Sequence, residues 1–265
     1  MKYKDISVQT IVNKITSDDN LFGGNYTVDP YQNCEFSCLY CDSSIDSTVY
    51  IKANALEIFE KEINKLEKGR IILGSVHDPY QKIEESKKIT RKILKIIKNY
   101  DFPVHILTKS TLVLRDIDII SEIKDSMVTI SLISLKSELS NIFEKKVPSP
   151  YDRLKTIKIL QENNINSGIA IIPIIPYLVE DELENIIKEA KTNNAKYILY
   201  KNLELKGDQK QIFFSLIQNQ FPYYLEKYKK LFNENYKPEQ SYISNLNDKI
   251  KILCKKYELP SKTVK

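Results

Sequence analysis

The run Asp29-Pro30-Tyr31-Gln32-Asn33-Cys34-Glu35-Phe36-Ser37-Cys38-Leu39-Tyr40-Cys41-Asp42 sets three of the chain's four cysteines at the spacing C-x3-C-x2-C, with an aromatic directly before the last. One short loop thus carries three thiols. Three thiolates can hold three irons of a cubic iron–sulfur cluster and leave the fourth iron without a protein ligand. That open position is where chemistry would take place. Zinc is the competing reading, but it normally closes its tetrahedron with four protein ligands. No fourth Cys or His lies near the loop: the histidines are His77 and His105, and the other cysteine is Cys254. The triple spacing is also more selective than a lone C-x-x-C, so Cys34, Cys38 and Cys41 read as the metal ligands.

Outward from this loop, short β-branched apolar runs alternate with longer amphipathic, lysine-rich ones, the pattern of repeated βα units on a parallel sheet. Strands are expected at Asn25 to Val28, Arg70 to Val76, Pro103 to Lys109, Met127 to Ile133, Ser167 to Ile175 and Lys196 to Tyr200. Helices are expected at Ala53 to Lys68, Glu84 to Tyr100, Arg115 to Lys124, Tyr151 to Asn163, Glu180 to Asn193 and Asp208 to Gln218. Six strands and six helices in strict order give an α/β fold, a partial (β/α)6 TIM-like barrel. Residues 1 to 24 read as an irregular lead-in and 219 to 265 as a helical, Tyr- and Lys-rich extension. The expectation is one domain over 1–265, with a barrel core at about 24–218.

A chain of 265 residues with 42% hydrophobic content can bury a full core. No apolar run reaches about 18 residues and the amino terminus lacks a charged-then-apolar export signal, so a cytoplasmic protein is expected. Cysteine usage agrees, because three of the four fall in one ligand motif rather than in a disulfide framework. The net charge of +5 points to an acidic partner such as nucleic acid, against a plain bias toward lysine: all but Arg70, Arg91, Arg115 and Arg153 of the 40 basic residues are Lys.

The cysteine spacing is the signature of the radical S-adenosylmethionine (radical SAM) superfamily, and the chain resembles its members. Asp-Pro-Tyr-Gln before the cysteines and His-Asp-Pro-Tyr at residues 77–80 resemble one branch, that of spore photoproduct lyase, whose members are often called DNA repair photolyase-like. So do Leu-Thr-Lys-Ser at 107–110, Leu-Arg-Asp-Ile-Asp at 114–118, Pro-Ser-Pro-Tyr-Asp-Arg-Leu-Lys at 148–155 and Ile-Ile-Pro-Ile-Ile-Pro at 171–176. The resemblance runs from about residue 24 to 200. It implies a 4Fe-4S cluster whose open iron binds S-adenosyl-L-methionine, and one-electron cleavage of SAM to methionine and a 5′-deoxyadenosyl radical. It also implies an electron donor such as flavodoxin or ferredoxin.

Barrel enzymes work at the carboxyl ends of their strands, which directs attention to a few residues. Tyr40 stands where relatives place an aromatic against adenine, or else fills the barrel mouth. Gly74 and Ser75 end the second expected strand, where relatives hold the cofactor's ammonium; the alternative is a simple turn opening. Asp78 and Tyr80 belong to the adjoining His-Asp-Pro-Tyr. Lys109 closes an apolar strand and can pair with the cofactor carboxylate, Ser131 would point into the barrel, and Ile174 lies at the fifth strand end. These, with Tyr80 set aside, are the expected cofactor contacts. Candidates for catalysis are His77, a titratable group near neutral pH, Tyr80, and Cys254, for which a buried structural role competes. Tyr223, Tyr224, Tyr228, Tyr236 and Tyr242, interleaved with lysines, can stack bases or pack on the barrel with lysine stems reaching outward.

Three functions follow from the resemblance. The first is a radical SAM enzyme on a nucleic-acid or nucleotide-like substrate, akin to DNA-lesion lyases. Authentic dimer reversal uses an additional cysteine as hydrogen donor, and this barrel has no spare one. The second is a radical SAM enzyme on a peptide or small metabolite, and the third a cluster-binding protein without catalysis.

Overall fold

The computed structural model describes residues 1–16, 21–41 and 47–263. Asp42, the last residue of the quoted run, lies outside the described residues. In chain order, the strands are β1 (Lys2–Ile6), β2 (Val12–Lys14), β3 (Tyr26–Val28), β4 (Tyr31–Gln32), β5 (Thr48–Lys52), β6 (Ile71–Leu73), β7 (Val104–Thr108), β8 (Met127–Ser131), β9 (Asn166–Ile174) and β10 (Ile198–Asn202). The helices are α1 (Ala55–Ile63), α2 (Glu84–Lys87), α3 (Ile89–Asn99), α4 (Ile117–Ile120), α5 (Ser137–Phe143), α6 (Pro150–Glu162), α7 (Leu183–Thr192), α8 (Gln209–Gln220), α9 (Leu225–Phe232) and α10 (Gln240–Lys256).

The main sheet has the order β10-β9-β8-β7-β6-β3-β2. From β3 to β10 every pairing is parallel, and β2 adds an antiparallel edge to β3. Parallel strands need crossovers, and α1 to α7 supply them. This is the expected α/β partial barrel; no pairing among the described residues closes it. The strands are rich in apolar residues because they are covered on both faces: all of Val104–Thr108 is buried, His105 and Thr108 included. The helices carry one apolar stripe each. In α3 the buried Ile89, Ile93, Leu94 and Ile97 fall at i, i+4, i+5 and i+8, and each buried aliphatic contributes about 1.5–3 kcal/mol.

Three expectations are corrected. Residues 1 to 24 are not irregular throughout, for they hold β1 and β2. β1 pairs in parallel with β5, which also pairs with β4, in a separate three-stranded sheet. Its residues are exposed up to Ile6, so no apolar alternation announces it; backbone pairing alone makes the strand. The expected helix Glu84 to Tyr100 breaks at Lys88, whose φ of 53° is left-handed. The expected helix Arg115 to Lys124 is shortened, because a 3-10 turn over Thr111–Asp116 precedes α4.

Part of the tail packs on the barrel, while Tyr223 and Tyr236 stay exposed. Tyr228 is fully buried and donates to the Pro176 carbonyl, and Tyr242 donates to Glu180. Tyr177 stacks on Tyr224 at 5.8 Å, with the Lys227 ammonium over both rings. Among the described residues no helix is long and apolar enough to cross a membrane.

Candidate active site

The cysteine loop leaves β4 and is bent by two left-handed residues, Asn33 (φ 64°) and Ser37 (φ 50°). Turn hydrogen bonds from Ser37 N to Cys34 O (3.3 Å) and from Cys41 N to Cys38 O (2.9 Å) wind it tightly. Cys34, Cys38 and Cys41 consequently line one cleft of about 130 Å³ at the carboxyl ends of β6 to β9.

Other elements clamp the loop from both sides. After β6, Gln81 donates to Asn33 O (2.9 Å) and accepts from Glu35 N (2.9 Å), while Glu35 accepts from Ile83 N (2.9 Å) and Tyr3 Oη (2.9 Å). On the far side Leu39 N donates to Phe143 O (2.9 Å), and Gln209 Nε2 donates to Leu39 O (2.6 Å). Tyr40 donates to Glu144, which pairs with Arg153 at 2.8 Å in full burial. Ser149 caps α6 by accepting from Asp152 N (3.2 Å), and Pro150 follows it in the first turn. That start brings Arg153 under the site, where it also donates to Ser131 O (2.8 Å) and Ser140 Oγ (3.1 Å).

The end of β6 is shaped for close approach. Gly74 has φ of +85°, and a Cβ there would meet Leu107 O at 2.3 Å, so only glycine fits. The neighbouring Ser75 Oγ is buried, faces the cleft and bonds no group among the described residues. Asp78 accepts from Thr108 Oγ1 (2.6 Å), Lys109 N (2.7 Å) and Tyr80 N (2.9 Å), tying the β6 loop to the end of β7. Burial raises its carboxyl against the lowering effect of these bonds.

The electrostatics are those of thiols short of a counter-charge. Burial, and secondarily Asp78, pushes the Cys34 thiol well up; burial outweighs the nearby Lys109 ammonium and pushes Cys38 up to about 12. Burial pulls Lys109 down, yet Cys38, Glu144, Asp78 and Cys41 prevail and hold it above its ordinary value. Its Nζ lies 5.9 Å from the Tyr40 ring centroid. Metal binding is what ordinarily offsets the cost of ionising buried thiols. The residues therefore fit an iron–sulfur cluster beside a polar ligand: three thiols, an unpartnered buried hydroxyl, a glycine with no room for a side chain, and a lysine. Among the described residues no three His, Cys, Asp or Glu groups converge on a single ion; a cubane distributes its thiolates over separate irons.

The structure brings Gly74, Ser75, Asp78, Lys109 and Ser131 to the three cysteines in one cleft. Tyr40 borders the adjoining cleft, which shares Cys41, Lys109 and Ile172 with the first. Ile174 lines neither and packs in the core. The register of β9 against β10 shifts between Ile171 and Ile174, and Ile172 faces the site instead. His77 lines neither cleft; its backbone N donates to Asp29 at 3.4 Å. Tyr80 is buried and donates to Asp116 (3.1 Å), outside both clefts. Cys254 sits on α10, apart from the other cysteines, its thiol pushed up to about 11 by burial. Sequence reasoning missed Glu144 and Gln209. Gln209 had one signal, a polar residue opening the helix that follows the last strand.

Comparison with known proteins bears on the family and the fold. The family model of the Radical SAM superfamily matches residues 28–190. An uncharacterised protein of Methanocaldococcus jannaschii is 32% identical over 234 residues, which cover 84% of this chain and 81% of the relative. An uncharacterised protein of Mycobacterium tuberculosis strain H37Rv is 25% identical over 254 residues, 88% of this chain and 75% of the relative. Among solved structures, a variant of spore photoproduct lyase with bound AdoMet and dinucleoside spore photoproduct superposes with a TM-score of 0.73. That match covers 99% of this chain and 82% of the other at 16% identity, a likeness of fold.

Proposed function

Because the chain belongs to the Radical SAM superfamily and is a radical SAM enzyme, we propose that Cys34, Cys38 and Cys41 hold a 4Fe-4S cluster and that the enzyme acts on a nucleic-acid or nucleotide-like substrate. The observation that carries the cofactor assignment is the convergence of the three thiols with Gly74, Ser75 and Lys109 on one cleft. Bound there, the cluster and SAM would supply one-electron cleavage of SAM and hydrogen abstraction from the substrate. The protein's own part is to bind, orient and exclude water. The Ser75 hydroxyl and the backbone at Gly74 are acceptors for the SAM ammonium, and Lys109 is a cation for its carboxylate. Tyr40, fixed through its hydroxyl by Glu144, presents its ring at the mouth. An electron donor such as flavodoxin or ferredoxin completes the cycle.

For the substrate, the support is the likeness of fold to spore photoproduct lyase together with the lysines of the adjoining cleft. Reversal of a thymine dimer with cysteine as hydrogen donor does not fit, since Cys254 lies outside both clefts. That same lack of a spare thiol favours a second reading, a peptide or small metabolite as substrate. Anaerobic reconstitution followed by incubation with SAM and dithionite is the test. Formation of 5′-deoxyadenosine that rises when oligonucleotide is added supports the proposal; a rise only with peptide or metabolite fractions selects the second reading.

A further inference from the structure

The lining of the cysteine cleft is of two kinds. The thiols, Ser75, Asp78 and Lys109 come from the cysteine loop and the ends of β6 and β7, whereas the apolar Ala170 and Ile172 come from β9, two strands further round the sheet. Phe22 completes the apolar part and belongs to no strand, for it lies in the lead-in to β3. Its side chain is half-buried and packs on a second apolar cluster, separate from the main core, formed by Met127, Ala170, Tyr197 and Leu199. Residues two apart on a strand share a face, so Met127 and Thr129 stand below Ser131 on β8 and this cluster fills the barrel lumen.

Phe22, Ala170 and Ile172 belong both to the cleft lining and to the lumen filling, and Phe22 is the bulky one of the three. Its backbone is pinned. Phe22 O accepts from His105 Nδ1 at 2.8 Å, the two rings meet edge to face at 6.1 Å, and Gly24 runs so close to β6 that a Cβ would meet Ile72 Cγ1 at 2.4 Å. The ring is therefore held where the cleft meets the packed lumen. An apolar wall favours carbon taken out of water and offers no partner to a polar group.

We propose that Phe22 is a specificity-determining residue of the reaction: its ring is the floor of an apolar seat, walled by Leu107, Ala170 and Ile172, that takes a compact aliphatic C–H-bearing group of the substrate and shuts out bulkier apolar groups. This rests on the radical SAM reading above and deepens it, for either class of substrate. The polar side of the cleft serves the cofactor, and the apolar side presents the carbon that loses hydrogen.

The test offers perdeuterated propane or toluene to anaerobically reconstituted protein with SAM and dithionite, and reads deuterium in 5′-deoxyadenosine by mass spectrometry. Dithionite supplies the electron that breaks the bond from the SAM sulfur to its 5′ carbon, releasing methionine. The 5′ carbon then takes a deuterium atom from the hydrocarbon, and the carbon radical left behind is reduced by a second dithionite electron and a proton from water. Wild type is expected to take label from propane and roughly tenfold less from toluene. Phe22→Ala is expected to take label from both, and the milder Phe22→Leu to fall between. Met127→Ala truncates a lumen residue roughly 13 Å below Ser131 along β8 and is expected to keep the wild-type preference. Calorimetry on cofactor-free protein is expected to show toluene bound by Phe22→Ala and not by wild type, as apolar cavities bind benzene. The wild-type preference retained in both Phe22 variants, or toluene binding the same in Phe22→Ala as in wild type, would overturn the seat and leave the radical SAM reading standing. Absence of 5′-deoxyadenosine from wild type would overturn the cofactor assignment, and the seat with it.

Discussion

Tyr40 donates its phenolic hydrogen to Glu144, a residue 104 positions away, and the other Glu144 oxygen pairs with Arg153 at 2.8 Å in full burial. The residue before the last cysteine is thus held by an ion pair beneath the barrel mouth, and Arg153 extends the chain of contacts to the carbonyl of Ser131 at the end of β8.

Breaking this pair on one side leaves a buried charge without its partner. Glu144→Ala is expected to lower stability by about 3–5 kcal/mol. Glu144→Gln with Arg153→Gln should cost less than the sum of the two single variants, because neither charge is then stranded. Urea unfolding of wild type, Glu144→Ala, the two single glutamine variants and the double variant checks this; additive losses would mean that the two groups do not act together.

Ser75→Ala separates folding from ligand binding. Removing a buried hydroxyl that has no partner among the described residues should leave the melting temperature unchanged or slightly raised. Affinity for SAM should nevertheless fall roughly tenfold, the loss of one hydrogen bond to a charged group. Melting curves and equilibrium SAM binding are the measurements, and a destabilised variant with normal SAM affinity would reverse the assignment.

His105 gives the fold a pH dependence away from the site. It is buried between Phe22 O (2.8 Å) and Thr129 Oγ1 (2.6 Å), and burial lowers its pKa to about 4. The unfolded chain takes up a proton near pH 6.5 that the folded chain refuses. Stability is therefore full above 6.5 and falls as pH drops toward 4, by about 3 kcal/mol in all. His105→Gln, unable to titrate, should show a flatter profile over that window in denaturant unfolding.

Much of this architecture was legible because burial on both faces makes parallel strands rich in β-branched and apolar residues, as in Val104 to Thr108 and Met127 to Ser131. The cysteine spacing was equally local. β1 was hidden because its stability comes from pairing with β5 and not from an apolar face. β5, whose Val49 and Ile51 are buried in alternation, had a signal, but it breaks the strict βα order. α5 is only seven residues long and follows no strand-helix alternation. The supports of the site were hidden for another reason. Glu144 meets Tyr40 across 104 residues and Gln209 meets Leu39 across 170, contacts that only the closed packing of β8, α6 and α8 against the loop creates. Ile174 was misplaced because the shift of β9 against β10 is invisible in a run of isoleucines.

The central claim is that the loop's three cysteines, and not Cys254, carry an iron–sulfur cluster. Iron and sulfide content with visible absorbance, measured on anaerobically reconstituted wild type, Cys38→Ala and Cys254→Ala, tests it most directly. The account predicts about four irons per chain and brown absorbance in wild type and Cys254→Ala, and loss of both in Cys38→Ala. Full cluster occupancy in Cys38→Ala, or its loss in Cys254→Ala, would contradict it.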